Sequence, residues 1–349
     1  MCLCRYIGVI KPMKTILFLF LVLTTVSCQS PQVDEIIVEN NVSLPEVYNT
    51  NINEMLYVDK IGAWDSLLVF INRKDEPIFY VYNTDFIYKG SFGTLGHGPN
   101  EFQFPFFLNT ENHAGQLLPI YDVNSASFKI IDVLSVLEGG EVIVNSWQMP
   151  KQLIGSPNLN VIDDIYYGNI DSGQGLFFIF DAKTENFTWI DFPKSLQSPK
   201  GDFTVMNMNR ITVNPHQEKI VSAMGYYNLL FLFDMNGNLI KTIQLGEKLI
   251  SPTIIGDYHI SGDNLICSRD IESTDTNVYV LMQNVRERDF EKINNAPSRI
   301  ICFDWNLSYN KTYQLPHYSL DFYVDERNDR IIYTALNEEG GTDIYYLPI

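Results

Sequence analysis

A repeat of about fifty residues, built from short apolar strands and tight turns, limits what this chain can fold into more than any other feature. The clearest copy begins at Arg210 and reads as four strands that end near Ile243. Its last two strands are joined through Asn236-Gly237, a strong hairpin signal because both residues accept positive φ. After residue 30 no long stretch has the 3.6-residue period of a helix, so the sequence predicts an all-β protein.

Further copies of this unit recur along the chain. The predicted first strands are Met55–Lys60, Pro105–Thr110, Asn158–Asp163, Arg210–Asn214, Pro252–Ile260 and Leu320–Asp325. Third strands that end in aspartate recur at Asp132, Asp181, Asp234 and Asp304. A single four-stranded unit cannot bury both of its faces, so the units are expected to stack radially as a six-bladed β-propeller. Two β-sandwich domains are the alternative, and they give no reason for the period.

The two ends of the folded region predict how the ring closes. The last repeat stops after its third strand, Thr342–Ile349, and lacks a fourth. A strand-like segment, Val33–Asn40, precedes the first repeat. We therefore expect Val33–Asn40 to supply the missing outer strand beside Thr342–Ile349, so that the propeller spans residues 33–349 and its two ends share one blade.

The first 27 residues have the construction of a signal peptide. A second methionine, Met13, is followed by Lys14 and an apolar stretch too short to span a bilayer, so residues 1–12 read as an upstream extension. The small residue followed by Cys28 resembles the lipobox of bacterial lipoproteins. This resemblance implies that Cys28 is lipidated and that residues 28–32 are a tether. Gln29 resembles the sorting signal for the outer membrane, and a periplasmic or a surface-facing orientation both remain open.

Charge and cysteine content narrow the classes of partner. The chain has 24 basic and 42 acidic residues and a formal net charge of -18. Such a surface repels phosphate backbones, which argues against nucleic acid as a partner. Only Cys267 and Cys302 fall within the predicted fold, in strand-like segments, and we expect two free, buried thiols. We expect a monomer attached to the membrane through its lipid.

One junction between repeats carries a recognisable motif. It contains Gly93, Gly96, Gly98, Pro99, Glu101 and Phe102. This segment resembles the junction of NHL-type repeats and of the TolB-like six-bladed propeller lipoproteins of Gram-negative bacteria. The resemblance implies that the segment links the outer strand of one blade to the inner strand of the next. Its residues are therefore predicted to be structural, with the glycines in a tight crossover, Glu101 accepting backbone hydrogen bonds and Phe102 packing between blades.

The sequence contains no motif that identifies an enzyme. Its five histidines are scattered, and no nucleophile elbow, phosphate-binding loop or dinucleotide fingerprint is present. We therefore expect a non-enzymatic binding or scaffolding module, without a cofactor, for a protein, peptide or glycan. The alternative is a lactonase-like hydrolase or lyase with a divalent cation such as calcium on the axis, held by acidic loops. The loop residues considered are Asp75, Glu76, Asp122, Asn124, Asn169, Asp171, Asp270, Glu272, Glu338 and Glu339.

A departure from the repeat in the fifth unit suggests where a ligand binds. Residues 268–298 read as an insert between its second and third strands, and long loops on rigid scaffolds often carry recognition. On the face of the ring that would carry this insert, the candidate binding residues are Tyr226, Tyr227, Asp122, Asn124, Arg269 and Asp270.

Overall fold

A computed structural model describes residues 33–64, 66–110, 117–170, 174–193, 208–255, 259–286, 288–289 and 296–349. They form six small sheets of four or five strands arranged as a six-bladed β-propeller, as predicted. Cys28, the tether 28–32 and Asp171 lie outside the described residues.

The first half of the chain supplies an N-terminal segment and three blades. The segment carries β1 (Glu35–Ile37), β2 (Val42–Ser43) and β3 (Tyr48–Asn49). Blade one consists of β4 (Lys60–Trp64), β5 (Leu67–Ile71), β6 (Phe79–Asn83) and β7 (Tyr88–Phe92). Blade two consists of β8 (Pro105–Phe107) and, after β9 (Asn109–Thr110), of β10 (Leu117–Asp122), β11 (Ser127–Asp132) and β12 (Asn145–Gln148). Blade three consists of β13 (Asn158–Ile162), β14 (Ile165–Asn169), β15 (Phe177–Asp181) and β16 (Asn186–Ile190), with β9 added at its inner edge.

The second half supplies the other three blades. Blade four consists of β17 (Asn209–Asn214), β18 (Lys219–Met224), β19 (Leu229–Asp234) and β20 (Leu239–Leu245), and a small hairpin follows, β21 (Ile254–Ile255) and β22 (His259–Ile260). Blade five consists of β23 (Leu265–Ser273), β24 (Asn277–Arg286), β25 (Arg299–Asp304) and β26 (Tyr309–Gln314). Blade six consists of β27 (Ser319–Asp325), β28 (Arg330–Leu336), β29 (Thr342–Pro348) and β3. The described ranges also contain one short helix, α1 (Val133–Leu137), and the 3₁₀ turns Lys151–Leu153 and Glu326–Asn328.

The aspartates that end the third strands organise the turns that follow. Asp234 Oδ1 accepts hydrogen bonds from the backbone N–H groups of Asn236 and Asn238, each at 2.9 Å. β19 and β20 pair antiparallel around this turn, in which Gly237 has φ +81°, so the predicted hairpin is confirmed. The equivalent Asp304 accepts two backbone N–H groups in the same way. A short carboxylate at this position therefore fixes the turn geometry, which is why the signal repeats in the sequence.

Blade five corrects the predicted insert. The segment expected as an insert, 268–298, contains most of β23 and all of β24, which are the two inner strands of this blade. The predicted first strand, Pro252–Ile260, instead includes the small β21–β22 hairpin. The interpretation was wrong because charged residues in β23 gave an inner strand the polarity of a loop.

The N-terminal segment also corrects the predicted closure. β3 pairs antiparallel with β29, so an N-terminal strand does complete the last blade. The expected segment, Val33–Asn40, lies elsewhere, because its strand β1 pairs in parallel with β20 of blade four. β2 pairs in parallel with β26 of blade five. We call residues 33–50 the N-terminal belt, because this segment adds one outer strand to each of the last three blades.

The cores lie between neighbouring blades. Each sheet packs apolar side chains against the next, and the largest of these clusters joins blades four and five around Phe303, Trp305 and Val280. Ile37 of the belt belongs to the same cluster. Cys267 and Cys302 are free and buried, as predicted. Burial raises the pKa of the Cys267 thiol to about 12, so it stays protonated and behaves as an apolar side chain.

Candidate binding sites along the propeller axis

An ion cluster beside the axis joins the neighbouring blades five, six and one, with its two aspartates buried and its lysine partly exposed. The ammonium group of Lys60, on β4, contacts the carboxylates of both Asp270 on β23 and Asp321 on β27. Asp321 Oδ2 also accepts the backbone N–H of Ile61 at 2.7 Å, and Asp270 Oδ1 accepts the N–H of Ile271 at 2.9 Å. We call Lys60, Asp270 and Asp321 the axial cluster. Its hydrogen bonds stabilise charges that would otherwise be costly to bury.

Irregularities in the inner strands direct these side chains to the axis. In β27 the register passes from Ser319–Ala335 to Phe322–Tyr333, so β27 has one extra residue next to Asp321. In β23 the register passes from Ser268–Met282 to Asp270–Leu281, which makes Arg269 the extra residue. β-Bulges re-aim side chains in this way and are common beside functional sites.

The axial cluster shifts the acidity of its members in opposite directions. Burial alone would lower the pKa of Lys60, but the carboxylates of Asp270 and Asp321 outweigh burial and raise it. Burial would raise the pKa of Asp270, but the Lys60 ammonium outweighs it and lowers the pKa. Burial and the neighbouring Asp270 raise the pKa of Asp321. The cluster therefore favours one ionised and one protonated carboxyl group beside a charged lysine.

Glu272 lies two residues beyond Asp270 on the same strand and lines the axis. Burial, followed by the charge of Asp270, raises its pKa well above the usual value for a glutamate. A carboxyl group in this state can donate as well as accept a hydrogen bond.

A cavity of about 480 Å³ follows the axis from this cluster to one end of the propeller. It opens where first and second strands connect, and we call this end the turn face and the cavity the turn-face channel. Polar side chains on its wall are Lys60, Asn109, Asn158, Asn160, Thr212, Asn214, Asp270, Glu272, Asp325 and Arg327. Aromatic side chains on its wall are Trp64, Phe106, Phe107, Tyr121 and Tyr323.

Two asparagines of β13 carry polar atoms without protein partners in this channel. Asn160 is 5% exposed, and its amide nitrogen Nδ2 donates no hydrogen bond within the described chain. Asn158 Oδ1 is buried and accepts none among the described residues. The two residues are two positions apart, so they lie on the same face of the strand. One unpaired donor and one unpaired acceptor therefore belong to residues that line the channel.

A second, smaller cavity of about 280 Å³ lies near the axis between blades four and five. It opens at the opposite end of the propeller, where second strands lead to third strands, and we call this end the junction face. Its lining combines two guanidinium groups, Arg210 and Arg269, with Tyr226 and with the apolar side chains of Met208, Ala223 and Ile266. We call it the arginine pocket.

The structure does not bring the predicted binding residues together at one site. Tyr226 and Arg269 meet in the arginine pocket, and Asp270 belongs to the axial cluster. Tyr227 is buried between blades, with its ring centroid 5.5 Å from that of Phe192. Asp122 is fully buried, where it accepts the backbone N–H groups of Gln103 and Phe104 and pairs with Lys129 at 3.3 Å. Asn124 is exposed in a turn away from both cavities.

The junction motif lies where the resemblance implied, between β7 and β8. Glu101 accepts the backbone N–H of Gly98 at 2.6 Å, across a turn that contains Pro99. Phe102 is fully buried, with its ring centroid 4.9 Å from that of Phe79. Gly93 has φ +86°, a conformation that disfavours other residues. These contacts agree with a structural role for the motif.

The acidic residues do not form a divalent-cation site in the part of the chain that the structure describes, where no three His, Cys, Asp or Glu side chains come together as a metal site. On the axis the ammonium group of Lys60 already lies between the two carboxylates. Of the loop acids, Glu76 accepts the backbone N–H of Leu95 at 2.7 Å. These contacts give the lactonase-like axial cation no support, and it stays a prediction from the sequence.

The sequence interpretation missed most of the residues that line the axis: Lys60, Arg210, Asp321, Asn158 and Asn160. All five lie on first strands, where polar residues alternate with apolar ones. The innermost strands border the open axis, where polar side chains can meet water, so this alternation indicates strands that line it. This pattern could have predicted the lining, although not which residues meet.

Comparison with known proteins adds information on the fold. The chain is similar to a DUF4221 family member from Bacteroides vulgatus, with TM-score 0.56, 11% identity, and coverage of 89% of this chain and 96% of that chain. It is also similar to a proposed exported protein from Bacteroides fragilis, with TM-score 0.53, 12% identity, and coverage of 90% and 98%. No family model and no curated protein matches the sequence. At these identities the similarity supports the six-bladed fold, and the TolB-like and NHL-type resemblance stays a prediction.

Proposed function

We propose that this protein is a lipid-anchored binding protein outside the cytoplasm that holds a small, hydroxyl-rich ligand, such as a saccharide, in the turn-face channel. The protein, peptide and scaffolding roles considered from sequence are less favoured, because the axial cavity is deep and small. The hydrolase alternative is also less favoured, because Lys60 lies where its cation would be needed.

The location outside the cytoplasm rests on two observations. The sequence from Met13 to Cys28 has the construction of a lipoprotein signal. One of the structurally similar proteins is described as a proposed exported protein. No helix of the described ranges is long and apolar enough to cross a membrane. Attachment through several acyl chains on Cys28 would be stable, and Gln29 favours the outer membrane.

The free amide atoms of Asn158 and Asn160 carry the ligand assignment. A hydroxyl group both donates and accepts hydrogen bonds, so the hydroxyl groups of one ligand offer a partner for each kind of unpaired atom. The raised pKa of Glu272 adds a second group that can donate and accept. Partly exposed aromatic side chains, including Phe107 and Tyr323, give the same channel apolar surface for the carbon face of a sugar ring. A channel that combines hydrogen-bond donors, acceptors and aromatic rings suits a neutral polyhydroxylated ligand.

Calorimetric titration with a panel of neutral mono- and disaccharides tests the ligand class. We expect at least one member to bind the wild type and to bind Asn160→Leu at least tenfold more weakly, since leucine has a similar size and removes the donor. Asn124→Leu, at an exposed turn outside the channel, is the control and should bind as the wild type does. Equal affinity in Asn160→Leu, or no binding across the panel, would refute the assignment.

Labelling of growing cells with radioactive palmitate tests the anchor separately. The wild type should incorporate the label, and Cys28→Ala should not. Cys2→Ala is the control because Cys2 precedes the predicted cleavage point, and it should be labelled like the wild type. Label retained in Cys28→Ala would contradict the lipobox interpretation.

A further inference from the structure

The arginine pocket has a chemistry opposite to that of the turn-face channel. Arg210 and Arg269 both line it in a protein whose formal net charge is -18. Arg269 is exposed and forms neither an ion pair nor a hydrogen bond with any described residue. Arg269 therefore has a second arginine beside it and no acidic partner among the described residues, although the chain is rich in acids. This arrangement favours the binding of an anion from outside the protein.

The backbone presents Arg269 to this pocket. Arg269 is the extra residue of the bulge in β23, so its side chain does not follow the alternation of its neighbours. The pocket wall is held in place on both sides of the bulge. Ser268 Oγ donates to the Met224 carbonyl at 2.7 Å, and the Cys267 N–H donates to the Gly225 carbonyl at 2.6 Å. Blades four and five therefore hold the backbone beside Arg269 in place, so that the side chain starts at the edge of their shared cleft.

The other residues that line the pocket limit the size and polarity of the ligand. Tyr226 is 6% exposed, and Met208, Ala223 and Ile266 add apolar surface. A cavity of about 280 Å³ is at the small end of ligand sites, so it accommodates a compact molecule. An apolar wall disfavours a heavily hydrated inorganic phosphate relative to an organic acid.

We propose that the arginine pocket binds a compact organic carboxylate, with Arg210 and Arg269 at the carboxylate oxygens and the apolar part of the ligand against Tyr226. Guanidinium groups pair with carboxylates through two parallel hydrogen bonds, which gives both affinity and orientation. The same group exists in free aromatic or aliphatic acids and at the carboxyl end of a peptide. This site does not depend on the saccharide proposal, because it lies across the axial cluster at the other face.

Thermal unfolding with benzoate, and with neutral benzamide as its isosteric control, tests the proposal. Benzoate should raise the melting temperature of the wild type and benzamide should not. Arg269→Gln should lose the shift, with an affinity for benzoate at least tenfold weaker by titration. Arg288→Gln removes the same charge from an exposed arginine that pairs with Asp263 outside the pocket, and it should keep the shift.

Two further arms separate the sources of the carboxylate. A tripeptide ending in phenylalanine is compared with its C-terminal amide. If the tripeptide with a free carboxyl end binds more strongly than benzoate, the site is assigned to peptide ends. If benzoate binds more strongly than the tripeptide, the site is assigned to small acids. A benzoate shift that persists in Arg269→Gln, or no response of the wild type to any carboxylate, would overturn the proposal.

Discussion

The Lys60 ammonium group of blade one contacts the carboxyl group of Asp321 in blade six across the seam at which the ring closes. Asp321 also accepts the backbone N–H of Ile61, so both the side chain and the backbone of β4 are joined to the last blade. Ring closure therefore depends on a buried polar contact as well as on the strand that β3 adds to blade six.

Lys60→Met is expected to destabilise the protein strongly. It leaves Asp270 and Asp321 buried without their cation, and removal of one partner from a buried ion pair costs about 3–5 kcal/mol. The free energy of unfolding in urea measures this loss. Lys60→Met combined with Asp270→Asn and Asp321→Asn should recover most of it, because the buried charges are then absent.

Lys183→Met is the matched control for that experiment. Lys183 pairs with Asp164 at 3.1 Å, with both side chains more than half exposed. Exposed pairs contribute little, so the change should stay below about 0.5 kcal/mol. A Lys60→Met variant as stable as Lys183→Met would show that the axial cluster does not stabilise the ring.

Glu272→Gln is expected to change how stability depends on pH. Burial raises the folded-state pKa of Glu272 above its unfolded value, so the folded state binds more protons between the two values. Its contribution to stability is therefore present in acid and is lost as pH rises through the raised pKa. The raised pKa of Asp321 acts in the same direction in this window, in the wild type and the variant alike, whereas the lowered pKa of Asp270 and the raised pKa of Lys60 act outside it.

The melting temperature between pH 4 and pH 8 tests this expectation. Glu272→Gln and the wild type should converge near pH 4, and the variant should be the more stable at pH 8 because its side chain stays neutral. Glu339→Gln, at an exposed loop, should follow the wild type throughout. A wild-type advantage that grows with pH would contradict the buried, protonated carboxyl group.

Ile37→Ala tests the position of the N-terminal belt. Ile37 is 5% exposed and packs against Ile243 and Leu245 of blade four, whereas the adjacent Ile36 is 53% exposed. Truncation of a buried isoleucine costs about 2–5 kcal/mol, and truncation of an exposed one should change stability by less than about 0.5 kcal/mol. Chemical denaturation of Ile37→Ala and Ile36→Ala measures the contrast. Similar values for both would argue against the pairing of β1 with β20.

Gly96→Ala tests the packing of the junction motif. A methyl group at Gly96 would overlap the Glu101 carboxylate and displace it from the Gly98 N–H. We expect a loss of about 1–3 kcal/mol, as is usual for overpacking. A double-mutant cycle with Glu101→Ala gives the reason for the loss, because Gly96→Ala should cost less once the carboxylate is gone. If Gly96→Ala costs the same with and without Glu101→Ala, the loss of stability does not come from the overlap with Glu101.

The sequence was sufficient for the fold wherever the determinants are local. The aspartates at the ends of third strands and the Asn236-Gly237 turn act within a few residues, so their pattern survives in the sequence. β23 was misread because Arg269, Asp270 and Glu272 look like loop residues. They face the axis of a ring, and only the assembled ring makes that position polar.

The site and the belt could not be predicted for a related reason. Lys60, Asp270 and Asp321 are more than fifty residues apart in sequence and meet only because three blades share an axis. β1 and β2 have three and two residues, too few for a strand pattern, and their partners are chosen by tertiary packing.

The belt also imposes an order of events on maturation. In a chain exported from its amino end, as proposed above, residues 33–50 emerge before the blades, yet the partners of β2 and β3, which are β26 and β29, follow more than 250 residues later. Contacts this distant in sequence form slowly. The earliest segment to emerge must therefore wait, unpaired, for nearly the whole polypeptide, and molecules stalled partway through translocation would expose bare sheet edges to chaperones and proteases.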